Sequence, residues 1–131
     1  MRLHHVQVSC PPGGEEAARA FYGTGLGLDE VAKPAALAVR GGVWFRSFDG
    51  ECVTAELHVG VEEGFAPARR AHPAFAYETV PELDGIIARL RTAGFAVDER
   101  ERHTFPGFER AHAVDPHGNR VELLAPEVTV Q

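Results

Sequence analysis

The sequence predicts an α+β fold made of two tandem β-α-β-β-β modules, on three observations. Hydrophobic periodicity gives one element order twice, four polar residues recur at matched places in the two halves, and a polar connector with Pro and Gly separates them. The 131 residues read as a single domain, with module one at about 1–61, a connector at 62–71 and module two at about 72–126. Hydrophobic residues make up 44% and charged residues 24%, so a core forms without staples, and disorder or a disulfide scaffold is excluded. The formal charge of −6 repels phosphate backbones and argues against nucleic acid as a partner. No apolar run reaches the length of a membrane span, and Met1-Arg2-Leu3-His4-His5 lacks the apolar stretch of a signal peptide. Cytoplasmic residence, without a membrane partner, is the expectation.

Each element has its own signal. Leu3 to Val8 alternates as a strand, with Leu3, His5 and Gln7 on one face and His4, Val6 and Val8 on the other. Pro11-Pro12-Gly13-Gly14 ends it, and Glu15 and Glu16 open a helix that stops in Gly23-Thr24-Gly25-Leu26-Gly27. Short strand candidates follow over Leu28–Ala32, Ala36–Arg40, Val43–Phe48 and Cys52–Val59, the later ones separated by turns at Gly41-Gly42 and Asp49-Gly50. The pattern then restarts with a strand over His72–Tyr77. Pro81 suits a first helical turn, Leu83, Ile86, Ile87 and Leu90 form an apolar stripe, and Gly94 stops the helix. Phe95–Asp98, Phe108–Val114 and Arg120–Leu124 complete the second module, the last two flanking an Asp115-Pro116-His117-Gly118-Asn119 turn.

The matched polar residues are His5, His58, His72 and Glu122. His5 precedes His72 by 67 residues and His58 precedes Glu122 by 64, while the spacings inside the halves are 53 and 50. Two like modules side by side would bring the four towards one cleft. Three imidazoles and a carboxylate suit a divalent ion such as Zn, Ni, Fe or Mn, with positions left open for water or substrate. Glu122 sits among Val121, Leu123 and Leu124, where a carboxylate faces solvent or needs a partner. His72 precedes Pro73, which favours extended backbone near a strand start.

Five stretches carry a family resemblance. They are Leu3-His4-His5-Val6, the helix end Ala20-Phe21-Tyr22 with Gly25-Leu26-Gly27-Leu28, Glu56-Leu57-His58-Val59, His72-Pro73-Ala74-Phe75, and Asp115 to Leu123. In these the chain resembles the vicinal oxygen chelate superfamily, which holds glyoxalases, bleomycin-resistance proteins and extradiol dioxygenases. The resemblance implies paired modules forming an open barrel-like cleft, usually in a homodimer. It places metal ligands at His5, His72 and Glu122, with His58 at the fourth position. Cys52-Val53-Thr54 lengthens the segment before that position, so Glu56 and His58, on one strand face, compete for it, and the Leu-His-Val context favours His58.

Arg110 and His112 alternate on one strand, on the side that commonly contacts substrate in the superfamily. His103 reads as an exposed residue of a loop from Glu99 to Gly107. Trp44, Phe45 and Phe48 read as core before cleft wall, Arg69-Arg70, Arg100 and Arg102 as solvated surface, and Cys10 and Cys52 as half-buried thiols. Gly23 to Gly27 follows a helix and does not link a strand to one, so it is no phosphate cradle. The expected function is a metal-dependent enzyme of glyoxalase or dioxygenase type, acting on a small oxygen-chelating substrate. Isomerase or lyase chemistry ranks first, ahead of thiol transfer and ring cleavage, with Glu122 as base. The alternative is a metal-free, bleomycin-resistance-like protein that sequesters a drug.

Overall fold

The computed structural model describes residues 1–128 and divides into two compact units, Met1–Pro67 and Ala68–Gln131. The first unit runs β1 (Val6–Cys10), α1 (Glu15–Ala18) continuing as a π-helical stretch over Arg19–Gly25, β2 (Asp29–Val31), a short α2 (Ala35–Ala38), β3 (Val43–Asp49) and β4 (Cys52–Val61). The second runs β5 (Ala74–Ala76), α3 (Val80–Thr92), β6 (Val97–Asp98), β7 (Phe108–Val114) and β8 (Arg120–Pro126). Each unit is thus a β-α-β-β-β module, with one small extra helix in the first.

Each unit has one four-stranded mixed sheet, in order β1-β4-β3-β2 and β5-β8-β7-β6. The first and last strands of each module pair in parallel and the other neighbours antiparallel. Burial alternates along parts of β3 and β7, whereas β4 over Glu56–Val59 and β8 over Val121–Ala125 are buried on both faces. In the first unit Val43, Phe45, Leu57 and Val59 are buried with Phe21 and Tyr22 of the helical segment. In the second, Ala111, Ala113, Val121, Leu123 and Ala125 are buried with Leu83, Ile86, Ile87 and Leu90 of α3. The alternate residues, Trp44, Arg46, Glu56 and His58 in one unit and Arg110, His112 and Glu122 in the other, lie on the opposite faces of the sheets.

Two local devices fix the second unit's geometry. Helix α3 starts at Thr79, whose side chain accepts the Glu82 N–H, and it ends where Gly94, at φ +91°, lets the Phe95 N–H reach the Leu90 carbonyl. The β7–β8 turn is held by Asp115, whose Oδ1 accepts the N–H groups of His117 and Asn119 at 2.8 and 2.9 Å. Asn119 Nδ2 donates to Asp115 Oδ2 at 2.8 Å. This turn sets the register that places His112 opposite Glu122.

Several sequence expectations change. Ala36–Arg40 is not a strand: Ala35-Ala36-Leu37-Ala38 follows Pro34 and has high helical propensity, and the Leu37 and Ala38 N–H groups bond the Pro34 carbonyl. The first strand begins at Val6, where pairing with β4 starts, so His4 and His5 precede the ladder and escape its strict alternation. Between β3 and β4 the register shifts, with Ser47 opposite Ala55 and Phe48 opposite Val53, and this bulge absorbs the longer Cys52-Val53-Thr54 segment. Beyond it Phe48 is exposed and not core, while Cys10 is buried and Cys52 exposed, so neither thiol is half-buried.

Asp115→Ala leaves two backbone donors and a buried amide without their acceptor. Urea denaturation is expected to show a loss of about 3 kcal/mol, and a loss below about 1 kcal/mol would mean that the turn does not hold the hairpin.

Candidate functional site

In the second unit one carboxylate gathers the polar side chains. Glu122 is 5% exposed in the middle of β8, and its N–H donates to the Pro73 carbonyl at 2.9 Å, which fixes the chain just after His72. Three side chains then meet the single oxygen Oε1: Arg110 Nη1 at 3.2 Å, His112 Nε2 at 3.2 Å and His72 Nε2 at 3.4 Å. A buried carboxylate needs such partners, because stripping its water without compensation costs several kcal/mol. Burial, with the charge of Arg120 next, holds the His112 imidazole below its usual pKa.

Arg110 also reaches outward. Its Nη2 donates to Thr104 Oγ1 at 2.8 Å, its Nε donates to the Glu101 carbonyl at 3.2 Å, and its guanidinium lies 5.5 Å from the Phe105 ring centroid. The Glu99–Gly107 loop is further tied down by Arg102, which meets Asp84, Glu99 and Glu109 at 2.8, 2.6 and 3.1 Å. Arg102 is therefore a largely buried structural tie and not solvated surface, whereas Arg100 and His103 are exposed.

The first unit has a different arrangement at the same register positions. His58 stacks between Trp44, at 3.8 Å and 2°, and His5, at 4.1 Å and 18°. Its Nε2 lies 2.7 Å from Glu56 Oε2, while Arg46 Nε donates to Glu56 Oε1 at 2.6 Å. Burial raises the Glu56 carboxyl, but the bonds with His58 and Arg46 outweigh it and leave the group below the usual carboxylate range. Burial lowers the His58 imidazole, and the bond to Glu56 only partly offsets this. The Nδ1 atoms of His4 and His5 face each other at 2.9 Å, with Glu56 Oε2 3.8 Å from that of His4.

The sequence-derived ligand set thus divides. His5 and His58 come together in the first unit, and His72 and Glu122 in the second. Arg110 and His112 join Glu122, as their shared strand face implies. The residues that could hold an ion within one unit are His4, His5 and Glu56, or His72, His112 and Glu122, with donor atoms lying within 4.8 Å of one another in each group. Glu56 enters the first group in place of His58, whose Nε2 is held by that carboxylate. A strand beginning at Leu3 would set His4 on the face opposite His5, whereas the ladder's start at Val6 leaves the two imidazoles together. Arg46 and Trp44 follow from the β3–β4 register, which pairs them with Glu56 and His58.

The family model of the Glyoxalase/Bleomycin resistance protein/Dioxygenase superfamily matches residues 2–123. The chain belongs to this superfamily. Among solved structures, a glyoxalase family protein from Bacillus anthracis is 40% identical, the match covering 97% of this chain and all of that one, with a TM-score of 0.79. TnmS3, an antibiotic binding protein from Streptomyces sp. CB03234, is 27% identical over 97% of this chain and 99% of its own, with a TM-score of 0.63. The fosfomycin resistance protein FosX from Listeria monocytogenes shares the fold at 13% identity, covering 97% of this chain and 92% of its own, with a TM-score of 0.73. None of the curated proteins matches the chain. No helix among the described residues is long and apolar enough to cross a membrane.

The lowered imidazoles set an acid limit. Between the ordinary histidine pKa near 6.5 and the lower folded values, the unfolded chain binds protons that the folded chain does not, so stability rises with pH across that window. In chelator-treated protein, denaturation midpoints should fall as pH drops from 7.5 to 5.5. The fall should be smaller in His112→Phe, and an equal slope in that variant would remove His112 as a source.

Proposed function

We propose that the chain is a divalent-metal-dependent enzyme of glyoxalase type, working as a homodimer on a small substrate that chelates through oxygen atoms. The observation that carries this is Glu122, a buried carboxylate on the middle of a strand with imidazole nitrogen converging on its Oε1. Neighbouring donors on an ion bound at about 2.1 Å lie roughly 3.0–3.4 Å apart, and the 3.4 Å between His72 Nε2 and Glu122 Oε1 fits that spacing. The ion supplies Lewis-acid polarisation of a substrate carbonyl or developing oxyanion. Arg110 offers N–H donors beside it and orients an anionic oxygen. Glu122, loosened from its partners, takes the substrate proton on its carboxylate, the role the superfamily resemblance gives it. Isomerase or lyase chemistry uses these groups with no further residue, which ranks it above ring cleavage.

A second reading has its own support. The 27% identity with an antibiotic binding protein, and an arginine on Glu122 that neutralises the carboxylate without an ion, favour metal-free sequestration of a drug. Elemental analysis separates the two. Untagged protein reconstituted with Mn, Fe, Ni or Zn is expected to hold near-stoichiometric ion that disappears in His72→Ala and Glu122→Gln. Equal metal content in wild type and both variants, with an aromatic antibiotic bound equally well by all three, would favour sequestration.

A further inference from the structure

Strand alternation and register lay out the site face of the second unit. Phe108, Arg110 and His112 alternate along β7, and their β8 partners are Pro126, Leu124 and Glu122. Residues directly opposite share a face, so imidazole and carboxylate lie at one end of this row and apolar groups at the other. The apolar end is not filled from β5, because Ala76, the partner of Leu124, is exposed and carries only a methyl group. Phe105 joins this end from the loop before β7. Its ring meets that of Phe108 edge to face, at 83° with centroids 5.2 Å apart, and the Arg110 guanidinium lies 5.5 Å from its centroid.

Phe105 stays 40% exposed, yet it is held in place. The Phe108 N–H donates to its carbonyl at 3.1 Å. Thr104 beside it donates to the Glu101 carbonyl and accepts from Arg110, and Arg102 ties the start of the loop to Asp84 of α3. An aromatic ring already fixed in this way loses little freedom when it gains a contact. Arg110 also has donors left to offer. A guanidinium carries five N–H groups, and Glu122, Thr104 and the Glu101 carbonyl take three of them. Resting on the reading that Arg110 orients a substrate oxygen beside Glu122, we propose that Phe105 and Phe108 form a subsite for an aryl group. The substrate is then a small oxygen-chelating molecule that carries an aromatic ring. That ring packs against Phe105 while the oxygens reach Arg110 and the groups around Glu122. The 5.5 Å from guanidinium to phenyl ring requires an aryl group close to the oxygens and not at the end of a long chain.

Calorimetric titration of the full chain with 3-phenyllactate and with lactate, with and without one equivalent of MnCl2, tests this. Both acids present the same hydroxyl and carboxylate, so their difference reads the ring alone. Wild type is expected to bind phenyllactate about 10-fold more tightly than lactate. Phe105→Ala should abolish that preference by weakening phenyllactate while leaving lactate unchanged. Phe105→Leu, which keeps apolar bulk without an aromatic face, should retain part of it, and the exposed His103→Ala variant should match wild type. Equal binding of the two acids by wild type, or binding of neither, would overturn the inference, as would a preference that survives intact in Phe105→Ala. The reading beneath it fails separately. Arg110→Met is expected to weaken both acids equally, and unchanged binding of both would remove Arg110 as the oxygen anchor while the Phe105 result still decides the ring subsite. A preference for phenyllactate that is as large without MnCl2 supports the subsite independently of the ion.

Discussion

A negative charge on a strand buried on both faces is the constraint around which the second unit is organised. β8 buries Val121, Leu123 and Ala125 in the core, and this alternation leaves Glu122 on the other side with 5% of its surface exposed. A carboxylate so placed is tolerated only when donors or cations replace its lost water. The sequence provides them from two places: His72 from the segment before β5, and Arg110 and His112 from β7. The Asp115–Asn119 turn matters to the site for the same reason, since a one-residue slip in the hairpin would turn both β7 donors to the core face.

The first unit meets the same constraint differently. Its buried charge is Glu56, two residues along from the position equivalent to Glu122, and Arg46 and His58 satisfy it. The equivalent position itself is His58, held between two flat rings. One duplicated scaffold thus carries a satisfied ion pair beside an aromatic stack in one half and a carboxylate with several competing nitrogens in the other. Each half has a group of imidazole and carboxylate donors that could hold an ion, His4, His5 and Glu56 in one and His72, His112 and Glu122 in the other.

Much of this was legible in the residues, for identifiable reasons. Phe108–Val114 follows from its alternation, and the helix over Val80–Thr92 from its apolar stripe, its Pro81 and its Gly94 stop. Local chemistry dominates there. The first strand's start was not legible, because pairing with β4 decides it and that partner lies some fifty residues away. The Ala36–Arg40 segment misled because short apolar runs do not distinguish a strand from a single helical turn. Of the side chains gathered around Glu122, His72 follows from matched spacing, and Arg110 and His112 from strand alternation. The buried role of Glu56 was not, because it depends on Arg46 lying across the β3–β4 ladder, and the ties of Arg102 depend on three carboxylates from separate elements.

The central claim is that Glu122 and its neighbouring imidazoles form a metal-binding centre within the second unit. X-ray absorption spectroscopy of zinc-loaded protein at one equivalent tests it most directly, because imidazole rings give outer-shell scattering that carboxylate and water ligands do not. A first shell of nitrogen and oxygen near 2.0–2.1 Å, with the outer-shell pattern of histidine, is the predicted result. A shell of oxygen alone, without imidazole scattering, would contradict it and leave Glu122 as a carboxylate neutralised by Arg110.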